Sequence, residues 1–333
     1  MDIRDRKQLK RSAAESLQEA AYSPKKLILL HTGIALSLSL IVTVINFILN
    51  RQIDATVGLS GIGLRSLLTT AQSVLSMANS ILLPFWEFGI IFAAVAWARK
   101  QDAHPNSLTE GFRRFGPVLR LTLLKAIILF AVIMLCTQIA MLIFMVTPLS
   151  GNTLQIMESL PAEGITEEML ADEALLNSLM DSLLPMYLVL GGVLLAIILP
   201  VLYYLRMADY LIMDMEQPKA LPALIASVRM MRYNCISLFK LDLSFWWYNA
   251  LGLLSMALCY GDLWLPLLGI SLPVNQDVAL FLFYGIHVLF QLVLAWFAGS
   301  YIQTTYANAY EALLPEAGFP SQTDNSVENN TTE

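Results

Sequence analysis

Long uncharged apolar runs, separated by short charged or Gly/Pro-rich connectors, set the pattern of this chain. One stretch shows it best. Between Asp242 and Asp262 lie nineteen residues without a charge, Leu243 to Gly261. As a helix they would extend about 28 Å, close to the roughly 30 Å of a bilayer's hydrocarbon core. Phe245, Trp246, Trp247 and Tyr248 stand just inside one edge, and Tyr260 and Trp264 mark the other. Aromatic rings favour both membrane interfaces because part of each ring is apolar and part can stay wet. Runs at about 27–49, 74–97, 118–146, 184–204 and 278–299 have the same character. The predicted fold class is all-α: a polytopic bundle of six transmembrane helices within residues 23–314, with the sixth span at 243–261.

Local signals place the ends. Ser23-Pro24 reads as N-cap and first helical residue of span one, where proline forfeits no helical hydrogen bond. Residues 50–66 read as a short Gly-punctuated loop. Pro84 inside span two predicts a kink, and span four carries Gly191-Gly192 and Pro200. Ser107-Leu108-Thr109-Glu110 has the capping-box pattern and starts a short helix bearing Arg113 and Arg114, which Gly116-Pro117 ends. The half-apolar, basic stretch from Ala220 to Asn234 reads as an interfacial helix feeding the span at 243–261.

Three segments fall outside the spans. Residues 1–22 are basic, with Leu9, Ala13, Leu17 and Ala20 near one helical face. They read either as an amphipathic helix on the inner membrane surface or as a solvated tail that only sets topology. Residues 148–183 contain seven acidic residues and no Lys or Arg, and read as an acidic extracytoplasmic excursion. Residues 315–333 are polar and read as a disordered tail.

Composition agrees with the pattern. Hydrophobic residues are 57% of the chain and charged residues 14%, against about 45–50% and about 25% for soluble domains. The net charge of −6 means little, because the charges are segregated. Seven of the 20 Lys and Arg precede span one, six follow span two and five follow span four. Only Arg51 and Arg65 fall on the opposite side. The positive-inside rule then places both termini in the cytoplasm of a cell-membrane protein.

Candidate chemistry is sparse. His31, His104 and His287 are far apart, Cys136, Cys235 and Cys259 lack paired spacing, and no nucleotide loop or nucleophile motif occurs. No cofactor, metal or nucleic acid is expected, and no enzymatic activity. Helical rise places Glu87, Gln138, Asn249 and His287 near the bilayer midplane. A charge at that depth costs about 2.5–3.5 kcal/mol, so Glu87 must be protonated, paired or in water. Two readings stand. These groups either hydrogen-bond across helices and hold the bundle together, or Glu87 and His287 line a polar path. On the inner face Arg113, Arg114, Arg229 and Arg232 are candidate contacts for anionic lipid headgroups or a protein partner.

Several short patterns are shared with a known family. They are Arg6, Leu9-Lys10, Ala13 and Leu17; Leu108, Gly111-Phe112 and Phe115; and Tyr203, Met207, Tyr210 and Asp214. Further along come Ser227, Met230-Met231, Leu238-Phe239, Leu241, Leu243-Ser244-Phe245 and Gly261 with Leu263-Trp264, then Thr305, Ala307, Tyr310 and Leu313. With them the chain resembles the bacterial integral-membrane family called domain of unknown function 975. It departs at Met231-Arg232-Tyr233, at Trp247-Tyr248, and in the acidic excursion. The resemblance implies the helical membrane architecture and brings no assigned activity. The expected function is therefore a non-enzymatic scaffold or accessory subunit. The alternative is a small-solute or ion transporter using the midplane layer around Glu87 and His287.

Overall fold

The computed structural model describes residues 3–55, 62–147, 173–261, 264–265 and 275–318. Among these every regular element is helical. The amino-terminal elements are α1 (Arg6–Glu19), α2 (Pro24–Ala55) and α3 (Ile62–Ala98), then a 3-10 turn (Pro105–Thr109), α4 (Glu110–Arg113) and α5 (Phe115–Val146). After them come α6 (Glu173–Arg206), α7 (Ala208–Asp214), α8 (Ala220–Met231), α9 (Cys235–Leu243) and α10 (Trp246–Cys259). The last elements are α11 (Gln276–Leu294), a π-helical segment (Ala295–Gly299), α12 (Ser300–Leu313) and a 3-10 turn (Leu314–Ala317).

Five helices are long and apolar enough to cross a membrane: Pro24–Ile53, Gly63–Ala98, Phe115–Val146, Leu183–Asp214 and Asp277–Glu316. Each contains one of the long runs read from the sequence. Burial explains why they need lipid. Only 6% of the most apolar window in Leu183–Asp214 is buried, and 11% in Pro24–Ile53. Apolar faces so uncovered are stable only against hydrocarbon or another protein. Gly63–Ala98 is the exception at 50% buried, and it is the central helix of its unit.

The chain divides into two compact units, Thr122–Arg206 and the remainder. The smaller contains most of α5 and α6, and α6 continues unbroken through Pro185 and Pro200. The larger holds most of the fully buried large side chains, among them Trp97, Tyr310, Phe85, Phe245, Leu9, Leu27, Leu108 and Met207. These concentrate where α1, the 105–113 connector, α7, α8, α9 and α12 gather around the end of α3. Close approach there depends on glycine. A Cβ on Gly89 would collide with the backbone oxygen of Leu108, and one on Gly111 with that of Phe85. With those two backbones in contact, Phe85 stacks on Phe115 at 4.7 Å and on Phe112 at 5.6 Å.

Several expectations change. The run 243–261 is not one continuous helix: a turn at Ser244-Phe245 separates α9 from the 14-residue α10. The cause lies far away in sequence. Phe245 is drawn inward until it is 1% exposed, with the Lys10 ammonium 4.0 Å over its ring. Lys10 also donates to the Ser244 carbonyl at the break, and Arg6 adds a bond to the Lys240 carbonyl, which already accepts from the Ser244 N–H, so cations lie on carbonyls at the end of α9.

The amino-terminal segment is a helix, capped by the Asp5 carboxylate, which accepts from the backbone of Lys7 and Gln8. Its face of Leu9, Ala13 and Ser16 is buried in protein, and Asn308 Nδ2 of α12 donates to the Leu9 carbonyl. Neither a free tail nor a helix resting only on lipid describes it.

Ser107 accepts from the His104 backbone inside the 3-10 turn and does not cap a helix after it. Pro117 sits in the first turn of α5, where its missing N–H is not needed, so it does not delay the helix. α3 remains one helical element through Pro84. The helices on either side of the 50–66 loop extend into it, to Ala55 and from Ile62. Order also continues past Leu314: Asn234 donates to Glu316 at 2.6 Å, and Gly318 takes a left-handed φ of 83°. The acidic stretch as far as Asp172, and the tail beyond Gly318, lie outside the described residues.

Candidate functional site

Two polar features emerge in the larger unit, a charged collar and an uncharged cavity. The collar is built on Arg99, the residue after the last turn of α3. Its Nη1 and Nη2 reach the two oxygens of Asp214 at 2.5 and 2.7 Å, and its Nε reaches Glu311 at 2.7 Å. Asp214 ends α7 and Glu311 lies in the last turn of α12, so one planar guanidinium joins three elements. The Tyr310 hydroxyl donates to Asp214 at 2.8 Å, and its ring stacks on Tyr210. The three charged side chains are only 12%, 18% and 11% exposed. Burial would lower the Arg99 pKa, but the hydrogen bonds and charge of Asp214, then Glu311, outweigh it and hold Arg99 above its ordinary value. The second Glu311 oxygen is buried without a partner.

Other polar groups extend this lock. Tyr306 donates to Asp242 at 2.5 Å, which ties α12 to α9. Asn234 donates to the Met230 carbonyl as well as to Glu316. Arg114 donates from Nη1 to the carbonyls of Ile212, Met213 and Met215, and so closes the carboxyl end of α7. Of the four inner-face cations singled out in the sequence, Arg114 is thus engaged within the chain. Arg113, Arg229 and Arg232 are exposed, with Arg113 paired to Glu110 and Arg232 over the Tyr233 ring.

The cavity lies between α2, α3, α10 and α11 and has a volume of about 750 Å³. Its polar wall comprises Ser39 and Thr43 of α2, Asn79 of α3, Tyr248 and Asn249 of α10, and Tyr284, His287 and Gln291 of α11. Among the described residues, no Asp, Glu, Lys or Arg lines it. His287 Nδ1 lies 3.0 Å from both the hydroxyl and the carbonyl oxygen of the fully buried Ser255. If Nδ1 carries the proton it donates to that carbonyl, which leaves Nε2 as an acceptor. The Asn79 Oδ1 is buried with no hydrogen-bond partner.

The predicted midplane layer is therefore divided. Asn249 and His287 share the cavity wall. Glu87 is exposed on α3 and is not on that wall, and Gln138 is exposed on α5 in the smaller unit. Sequence reading missed the Arg99–Asp214–Glu311 cluster, because Arg99 counted only toward topology and Glu311 lay beyond the last predicted span with no role assigned. A signal was nonetheless present: Asp214 and Tyr310 both lie in the family-like patterns. So do Leu9, Lys10, Gly111, Phe245 and Leu313, and all of them fall in the collar or its packing.

No curated protein and no solved structure matches the chain. One family model, described as Protein of unknown function (DUF975), matches residues 1–317. That match takes in the collar and the cavity together, and the chain belongs to the DUF975 family.

Proposed function

We propose that this is a six-span protein of the cell membrane, with both termini cytoplasmic, that works as a non-enzymatic scaffold or accessory subunit. The observation that carries this reading is the collar. Its charged groups are held by partners within the chain, and they join α7 and α12 to the end of α3. Such an arrangement favours a fixed platform over a moving pathway. Exposed Arg113, Arg229 and Arg232 give the platform a basic surface suited to anionic lipid headgroups or a cytosolic partner. The test is to purify the tagged protein from its host in mild detergent and identify what accompanies it by mass spectrometry. A stoichiometric protein partner that is lost on Arg229→Glu/Arg232→Glu supports the scaffold. A preparation free of protein partners counts against it.

A second reading is transport, favoured by the cavity wall around His287 and Asn249. It predicts that His287→Ala and Asn249→Ala slow uptake of a solute by proteoliposomes. Unchanged uptake in both variants would remove it.

A further inference from the structure

The cavity sets a cluster of uncharged polar groups in a mostly apolar lining, and this combination restricts what can occupy it. Polar groups exposed at bilayer depth without partners are costly, so the wall needs a polar occupant. Asn79 Oδ1 is a buried acceptor that has no donor. Asn249 and Gln291 each offer an amide that can both give and accept, and Ser39 offers a hydroxyl, while the Thr43 hydroxyl already donates to the Ser39 carbonyl. No formal charge on the wall could balance an ion. The rest of the lining, including Leu36, Val42, Leu253 and Met256, is apolar. Ligand cavities run from about 300 to 1,000 Å³, so the observed 750 Å³ suffices for a small ligand or a lipid head with the start of its chain.

We propose that this cavity binds an uncharged, hydroxyl-bearing group. Its source is either the glycerol head of a neutral acylglycerol entering from the bilayer or a free polyol of the same chemistry. His287 Nε2 accepts from a ligand hydroxyl, while the wall amides of Asn79, Asn249 and Gln291 donate to its oxygens. The site needs neither transport nor a protein partner, so it stands apart from both functional readings above.

Cys259 lies on the cavity wall and reports occupancy. The full chain carrying Cys136→Ala and Cys235→Ala is placed in phosphatidylcholine nanodiscs, and the rate of Cys259 alkylation by N-ethylmaleimide is followed by intact mass. The added probes are 1-oleoylglycerol, myo-inositol and oleoyl lysophosphatidate. A probe present at about four times its Kd slows alkylation about fivefold. Protection by 1-oleoylglycerol alone identifies a lipid source, and protection by inositol identifies a free polyol. In either case it disappears in Asn79→Leu and His287→Leu. Asn249→Leu, which alters an exposed wall residue, keeps the test decisive should either of those variants fail to assemble. Equal rates with every probe overturn the proposal and leave a cavity that holds only water. Equal protection by lysophosphatidate also overturns it, because charge is then irrelevant. So does protection that survives in the variants. A Cys259 that does not react without added probe overturns it as well, because the cavity is then closed.

Discussion

Arg99 shows how much of this protein depends on single polar contacts. Its guanidinium is bidentate to Asp214 and also bonded to Glu311, at 12% exposure. Breaking a buried pair by removing one partner costs about 3–5 kcal/mol, because the other charge is left unpaired. Arg99→Leu and Asp214→Leu should therefore each lower the unfolding free energy in detergent by about that amount. The double variant should lose less than the sum, since Asp214 is then no longer left without its cation and only Glu311 is. Strict additivity in chemical denaturation would show that the pair is not coupled. Gly111 makes the complementary case, in which a side chain must be absent. A Cβ there meets the backbone oxygen of Phe85, and backbone cannot rotate aside. Gly111→Ala should cost at least the roughly 1–3 kcal/mol of ordinary overpacking, read as a lowered melting temperature. Gly116→Ala, where a Cβ meets nothing within 4 Å, is the internal control and should melt with the parent.

At the scale of elements, apolar run length was legible and the interruption was not. Pattern alone placed a run inside each of the five long helices, because each one's hydrophobicity is local. The turn at Ser244-Phe245 depends on Lys10, 234 residues away, and no window over residues 243–261 contains that cause. The collar was invisible for the same reason: Arg99 lies 115 residues from Asp214 and 212 from Glu311. The positive-charge count did register Arg99, Arg114 and Lys10, but it could not tell a cation that faces lipid from one that closes a helix end. Exposed cations remain on α8, at Arg229, and just after it, at Arg232. Ala223, Leu224, Ala226, Ser227, Met230 and Met231 are buried on one side of α8. Leu221, Ile225, Val228, Ile236 and Phe239 stay exposed on α8 and α9, next to exposed Arg229 and Arg232. An apolar face with basic residues beside it suits the surface of an anionic leaflet, at about 1 kcal/mol per cation. Arg229→Ala/Arg232→Ala should weaken binding of phosphatidylglycerol to the purified protein by about 2 kcal/mol, roughly thirtyfold. Native mass spectrometry of retained lipid reads this directly. Retention equal to that of the parent would assign these arginines to solvent.

The whole molecule poses one question of parity. Five long helices would leave the two ends of the chain on opposite sides of a membrane. Yet Asn308 donates to the Leu9 carbonyl, and Arg99 joins Glu311 near the end of the last helix. Both ends of the described chain therefore gather at one end of the larger unit. At the other end, Arg51 near the close of α2 pairs with Asp277 at the start of α11. Ends on the same side of a membrane go with an even number of crossings, and the proposed six-span arrangement therefore calls for one crossing element beyond the five long helices. α10 is the candidate. Its 14 residues extend only about 21 Å, short of a 30 Å core, and the aromatic residues at its ends suit a locally thinned bilayer. The test needs two positions with α10 between them. Tyr233 and Asn275 are both exposed, on either side of that helix. In a cysteine-free background, Tyr233→Cys should resist a membrane-impermeant maleimide added to intact cells, and Asn275→Cys should react. Glu15→Cys should behave as Tyr233→Cys does, and Gln52→Cys as Asn275→Cys does. If Tyr233→Cys and Asn275→Cys label from the same side, α10 does not cross and the six-span arrangement fails. The proposed placement of both termini on one side would fall with it, and the contact between Leu9 and Asn308 would then mark a chain in which one of the five long helices does not cross.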